Sequence, residues 1–316
     1  MNKLLLVVGN GLSIDAFQYF DLRLDPSHPF LFGVPDPLDP SKKLMDTLTS
    51  VRDMIDSHPN VTDFEIIQDF IANYKKNNKG HIWTHCELRQ YLSLAYSFAN
   101  DLLLTHWKEG WRWAQWLRRH YKRIAGVVSF NYDLVLETAL QQSSLGYYRI
   151  GSTEEDNPIG TPIFKPHGSC DFDISSRFIS IPPQARLRNL TRLNDYVING
   201  RGRIEIVSKG KLLEPRTESD VVLPFEFSPQ TQLTWVRQGY EAVSETAKTV
   251  DALIIVGISY QPCDRREIDS ILDEIPTHTA IRLVDQRPNA EFETKLTGVS
   301  DNAKCIHPIE FLGDII

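Results

Sequence analysis

Apolar residues along this chain fall into two rhythms. Short, mostly apolar runs of strand length, Lys3 to Val8, Ile124 to Phe130, Pro162 to Phe164, Asp251 to Val256 and Ile281 to Val284, alternate with longer stretches whose apolar positions recur every three or four residues. Runs without a polar alternate suit strands covered on both faces, and strands separated by helical stretches assemble into a parallel sheet. The predicted class is α/β: a Rossmann-like parallel sheet with a large helical insertion over 40–123 and a small subdomain over 170–225 that contains a β-hairpin. Together they make one domain, 1–316.

The helical rhythm begins with Leu44, Leu48, Val51 and Ile55. Two capping boxes follow, Thr62-x-x-Glu65 and Thr84-x-x-Glu87, in which a hydroxyl and a carboxylate satisfy orphan N–H groups reciprocally. The helices they open carry apolar stripes, Phe64, Ile67, Ile71 and Tyr74 on one, Leu88, Tyr91, Ala95, Phe98 and Leu102 on the other. From His106 to Arg123, Trp107, Trp111, Trp113 and Trp116 stand among arginines and a lysine. Trp113 and Trp116 are expected to face the core; a protein contact through Trp107 and Trp111 is the second reading. Tyr196 to Ile198, Asn199-Gly200 and Arg203 to Val207 read as a hairpin, and Ser228-Pro229 as the cap of a helix with Leu233, Val236, Tyr240, Val243 and Ala247 on one face.

Each apolar run stops on residues that carry chemistry, and the carboxyl ends of strands in an open α/β sheet are where ligands bind. The first breaks into Gly9-Asn10-Gly11-Leu12-Ser13, a strand, glycine turn and helix start that lets backbone N–H groups face a diphosphate; no third glycine completes the dinucleotide fingerprint, and an Asn-Gly turn is the competing reading. The second stops on Asn131, Tyr132 and Asp133. The third leads into Lys165-Pro166-His167-Gly168-Ser169, where His167, able to change charge near neutral pH, is a candidate general base or acid. The fourth is closed by Gly257-Ile258-Ser259-Tyr260, with Asp264 opening an amphipathic helix. The fifth ends on Asp285, placed to accept hydrogen bonds from ribose hydroxyls, with a turn or helix cap as the alternative.

In this order, Gly-Asn-Gly-Leu-Ser, Ser-Phe-Asn-Tyr-Asp, Lys-Pro-His-Gly-Ser, Val-Gly-Ile-Ser-Tyr and Leu-Val-Asp resemble the sirtuin superfamily, and more closely its bacterial defence-associated NAD-hydrolysing branch. Gly9, Gly11 and Ser13 match the fixed positions of the sirtuin Gly-Ala-Gly-x-Ser motif, with Asn10 in place of alanine. The resemblance implies NAD as substrate, Asn131 and His167 as catalytic residues, and a contact from Asp133 to nicotinamide. It also places Gly9, Asn10, Gly11, Ser13, Gly257, Ser259 and Asp285 along the rest of the dinucleotide. It further implies an NAD glycohydrolase acting as a toxic effector of antiphage defence by abortive infection, activated through a homo-oligomer or a separate sensor or ATPase protein. An NAD-dependent protein deacylase or ADP-ribosyltransferase is the alternative, and a non-catalytic NAD-sensing module a third class that Asn131 and His167 count against.

The departures are informative. Deacylating sirtuins carry two Cys-x-x-Cys pairs that hold zinc; the four cysteines here, Cys86, Cys170, Cys263 and Cys305, form no such pair, so no zinc is expected. The Gly-x-Pro-Asp-Phe-Arg segment is also missing, and Asp21 to Pro40 reads instead as a proline-punctuated loop with no regular periodicity. A formal net charge of -7 argues against nucleic-acid binding. The apolar N-terminal run is too short for a membrane span and lacks a cleavage pattern, so a cytoplasmic chain is expected.

Overall fold

The computed structural model describes residues 2–58, 61–76, 82–174, 204–215, 219–223 and 233–313. In chain order its strands are β1 (Leu4–Val8), β2 (Pro35–Asp36), β3 (Asp39–Lys43), β4 (Ile124–Ser129), β5 (Tyr147–Arg149), β6 (Thr161–Phe164), β7 (Gly168–Ile174), β8 (Ile204–Ile206), β9 (Ser219–Val221), β10 (Ala252–Val256), β11 (Ala280–Val284) and β12 (Ala303–Ile306). Seven of them form one sheet in the order β12-β11-β10-β1-β4-β6-β5, and every pairing within it is parallel. All five apolar runs of the sequence are strands of this sheet.

Burial explains the runs. Leu4, Leu6 and Val8 pack into one hydrophobic core while Leu5 and Val7 pack into another, so alternate residues of β1 fill opposite faces of the sheet. On the first face lie the helix Asn10–Tyr19, the helix Val135–Gln142 and the inserted helices. Helices Thr234–Ala247, Arg265–Leu272 and Ala290–Val299 cover the second. Thr234–Ala247 comes close enough that a methyl group on its Gly239 would stand 2.0 Å from the Phe164 ring.

From β1 the chain fills the sheet first toward β4, β6 and β5, then returns to β10 and proceeds outward to β12. The order therefore reverses at β1, with Val8 level with Ser129 on one side and Val256 on the other. Such a switch point opens a crevice at the carboxyl ends of the strands.

The insertion differs in detail from its sequence pattern. Leu44 to Ile55 is divided into two helices, Leu44–Thr47 and Thr49–Asp56, because Leu48 leaves helical conformation at ψ 71°. The Thr62–Glu65 capping box forms, with Thr62 N donating to Glu65 Oε2 at 2.9 Å. The Thr84–Glu87 box does not: the helix begins earlier and runs Ile82–His106, and Glu87 instead accepts from Ser50 N at 2.9 Å. That helix carries more than a stripe, since residues 87–97 are buried all round. Two of its polar side chains reach carbonyls of the neighbouring strands, Ser93 Oγ donating to the Cys170 carbonyl and Arg89 to the Val221 carbonyl.

Trp113 and Trp116 face the core as expected. Trp111 corrects the contact reading, because it is only 2% exposed and its Nε1 donates to Asp15 Oδ2 at 2.7 Å, which leaves no indole face for a partner. A second, antiparallel sheet, β8-β7-β9, lies beside the main one. The expected hairpin turn at Asn199-Gly200 and the Ser228-Pro229 cap lie outside the described residues; Ile204–Ile206 is a strand and pairs with Phe172–Ile174. Among the described residues, no helix is long and apolar enough to cross a membrane.

Candidate active site

Three glycines set the geometry of the crevice. Gly9 ends β1 and caps the helix Asn10–Tyr19, and Gly257 follows β10 at φ +59°. A Cβ on Gly11 would lie 2.5 Å from the Gly257 Cα, and one on Gly9 would lie 2.7 Å from the Gly257 carbonyl oxygen. Only hydrogen fits at this crossing. The same contact corrects the expected phosphate cradle: Gly9 N donates to the Val256 carbonyl and Gly11 N to the Gly257 carbonyl, both at 2.9 Å. These N–H groups tie two strand ends together, and the helix N-terminus is what remains for an anion.

Asn131, 8% exposed, is held by its amide nitrogen, which donates to the Gly9 carbonyl and to Ser13 Oγ, each at 3.0 Å. A carbonyl accepts only, so the nitrogen must face Gly9, and the side-chain oxygen Oδ1 is the atom left for a ligand. Ser13 passes the constraint on, donating to Asp133 Oδ2 at 2.6 Å, while Asp133 Oδ1 accepts from Val135 N at 3.0 Å. Asp133 thus fixes Ser13 and the first turn of the helix Val135–Gln142 together. Beneath it, fully buried Lys165 donates to the Asp133 carbonyl at 2.6 Å and to Glu137 Oε1 at 2.9 Å. Burial pushes the Glu137 carboxyl up, against the pull of Lys165 and Arg149.

His167 sits on the turn between β6 and β7. Its Nε2 is 2.7 Å from Glu267 Oε2 and 3.9 Å from Asp264 Oδ1, both at the start of the helix Arg265–Leu272. Burial alone would lower this imidazole. The charge of Glu267, its hydrogen bond, Asp264 and a hydrogen bond to the Phe130 backbone outweigh that and raise it to about 9. Asp264 is raised by burial, opposed by His167. The ring of His167 and the carboxylates of Asp264 and Glu267 offer atoms that all lie within 4.8 Å of one another.

A cavity of about 1020 Å³ opens over these strand ends, at the upper limit of ordinary small-molecule sites. Gly9, Asn10, Gly11, Asn131, Asp133, His167, Gly257, Ser259 and Asp285 all line it; Ser13 does not, standing fully buried behind Asn131. Ser259 is exposed. Asp285 Oδ1 accepts from Arg287 N at 2.7 Å, the turn-capping alternative, and the residue still borders the cavity. The Asp21–Pro40 segment reaches the same cavity through Ser27 and His28, and Asn10 Nδ2 donates to Ser27 Oγ at 2.8 Å.

Sequence reasoning missed Glu267, which sits three residues into a helix of a different loop and belongs to no motif. In the sequence Asp264 stands only as a helix opener. The signal available was their spacing: positions 264 and 267 share one face of a helical turn, at the end of a strand adjoining the switch point. Of the cysteines, Cys170, Cys263 and Cys305 are described, and none is in a disulfide.

No protein-family model matches the chain, and no curated protein sequence matches it. Among solved structures it is similar to Sir2Tm bound to a propionylated peptide, at 12% identity, covering 99% of this chain and 90% of that one with a TM-score of 0.37. It is also similar to a Sir2 homolog–NAD complex, at 12% identity, 99% and 88% coverage and a TM-score of 0.38. A complex of Sir2 with p53 peptide and NAD+ gives 11% identity, 99% and 90% coverage and a TM-score of 0.38.

Proposed function

We propose that the cavity binds NAD and hydrolyses its nicotinamide–ribose bond, releasing nicotinamide and ADP-ribose. The observation that carries this reading is that Asn131 and His167, contributed by two different strand ends, open on one cavity together with Gly257, Ser259 and Asp285 from the other side of the switch point. The order of the five sequence motifs supports it.

Cleaving this bond develops positive charge on the ribose while a neutral base departs, so positioning and shielding do most of the work. In the proposed pose the diphosphate lies against the N-terminus of the helix Asn10–Tyr19, whose dipole favours negative charge. Asp285 and Ser259 meet the adenosine side. Asn131 Oδ1 accepts a hydrogen bond from a ribose hydroxyl or from the attacking water. As the carbon–nitrogen bond breaks, its electron pair stays on nicotinamide; water supplies the new carbon–oxygen bond, and its proton passes to His167 and then to solvent. Asp133 acts on the nicotinamide end, directly or through Ser13 and Asn131.

In the same reading the chain is a toxic effector of antiphage defence, restrained until a homo-oligomer or a separate sensor or ATPase protein activates it. Incubating the purified chain with NAD in heavy-oxygen water tests the reaction. Free ADP-ribose carrying one heavy oxygen is expected; product formed only when an acyl-lysine peptide or a protein acceptor is present would replace hydrolysis by group transfer.

A further inference from the structure

His167 is the base of the proposed reaction, yet the nitrogen that would take a proton already faces a carboxylate. Nε2 lies 2.7 Å from Glu267 Oε2 with Asp264 Oδ1 at 3.9 Å, and the ring also bonds the Phe130 carbonyl. The groups around the ring all favour its charged form or are neutral. Asp264 and Glu267 come from the β10 side, with the Cys263 thiol beside them, itself pushed up by burial and by Asp264. Phe130 presents an edge at 5.3 Å and Tyr132 a ring at 6.1 Å from the β4 side.

A general base needs a lone pair aimed at its substrate. An imidazolium clamped on a carboxylate has none. The clamp also joins two separate segments, since His167 belongs to the β6–β7 turn and Glu267 to the helix after β10. The connection from β10 to that helix includes Gly257 and Tyr260 at φ +59° and +54°, and a left-handed tyrosine stores strain that a rearranged loop would release.

We propose that Glu267 is a positioning residue that holds His167 in a resting, carboxylate-paired state, and that the base meets substrate only after the segment carrying Glu267 withdraws from the ring. The inference rests on the NAD-cleaving reading of the site. On withdrawal the imidazolium loses the charge that sustains it, gives its proton to solvent, and presents a neutral Nε2 to the ribose hydroxyl or water.

Glu267→Gln keeps the shape of the side chain and removes its charge. Two readouts are taken on the full chain: the His167 proton titration by NMR, which needs no turnover, and nicotinamide release from NAD as a function of pH. In the wild type the rate is expected to climb up to about pH 9, following the paired imidazole. In Glu267→Gln the titration midpoint falls by more than a unit, the rising limb moves down with it, and the rate at pH 7 increases about 10-fold or more. A wild-type rising limb near the ordinary histidine range overturns the gating whatever the variant does, and so does a rate at pH 7 equal to or below wild type in Glu267→Gln protein shown to be folded. A His167 midpoint unmoved by Glu267→Gln overturns the pairing whether or not NAD is cleaved. Absence of nicotinamide release from both forms at every pH removes the reading on which the gating rests.

Discussion

A methyl group on Gly257 would stand 2.4 Å from the Cα of Gly11, so the loop after β10 and the helix start after β1 touch backbone to backbone. Neither side can yield cheaply, because each is pinned by the hydrogen bond from Gly11 N to the Gly257 carbonyl. Gly257→Ala adds this clash to a left-handed φ of +59° and is expected to cost about 2–4 kcal/mol. Chemical denaturation checks it; a loss below about 1 kcal/mol would show that the crossing relaxes.

Asn131 is oriented by a chain of acceptors and donors that ends on Asp133. Asn131→Ala should leave NAD affinity nearly intact by calorimetry while lowering turnover about 10²-fold or more, because the other contacts come from other strands. Ser13→Ala frees the amide to rotate and should lower kcat more than it raises KM. If Ser13→Ala instead weakens binding and leaves kcat alone, Ser13 contacts the dinucleotide directly.

Lys165 and Glu137 form an ion pair with both side chains almost wholly buried. Lys165→Met strands the carboxylate and removes a donor from the Asp133 carbonyl, and should destabilise the fold by about 3–5 kcal/mol. A double variant, Lys165→Met with Glu137→Leu, should recover a large part of that loss. Thermal and denaturant melts of the two distinguish a lost pair from a disrupted cavity.

The His167–Glu267 pair makes stability depend on pH. A histidine raised from its ordinary 6.5 to about 9 binds its proton more tightly when folded. Its contribution is fully present below about pH 6.5 and is lost as pH rises through about 9. The difference is worth on the order of 3 kcal/mol. Denaturation midpoints measured from pH 6 to 10 should fall across that window in the wild type and much less in Glu267→Gln. A flat wild-type profile would mean the pair is not formed in solution.

Metal analysis of the purified chain should find no stoichiometric zinc, since the sequence offers no Cys-x-x-Cys pair. One tightly held zinc per chain would revive the acyl-transfer alternative.

The sheet was legible because buried parallel strands need apolar runs, and Leu4–Val8 and Ala252–Val256 supply them unbroken, while Ala280–Val284 is interrupted only by Arg282. That Asn131 and His167 would border one cavity was legible because each follows the end of a strand. What sequence spacing does not carry is contact between distant segments. Glu267 meets His167 across 100 positions, and Gly257 rather than a phosphate takes the Gly11 N–H. The Thr84–Glu87 box failed for a related reason: the helix begins ahead of its local start signal, and tertiary contact with Ser50 claimed the carboxylate. Trp111 read as a surface hot spot because its acceptor, Asp15, is 96 positions away.

In the proposed reaction Asn131 and His167 act together on NAD within one cavity. A time course of nicotinamide and ADP-ribose release by the wild type, Asn131→Ala and His167→Ala, each first shown to be folded, tests it most directly. The wild type is run from pH 7 to 9, alone and with its genomic neighbours. Equal amounts of the two products from the wild type, and a loss of about 10²-fold or more in either variant, are predicted. Unchanged NAD under every condition, or full activity in both variants, would contradict joint action of the two residues on NAD.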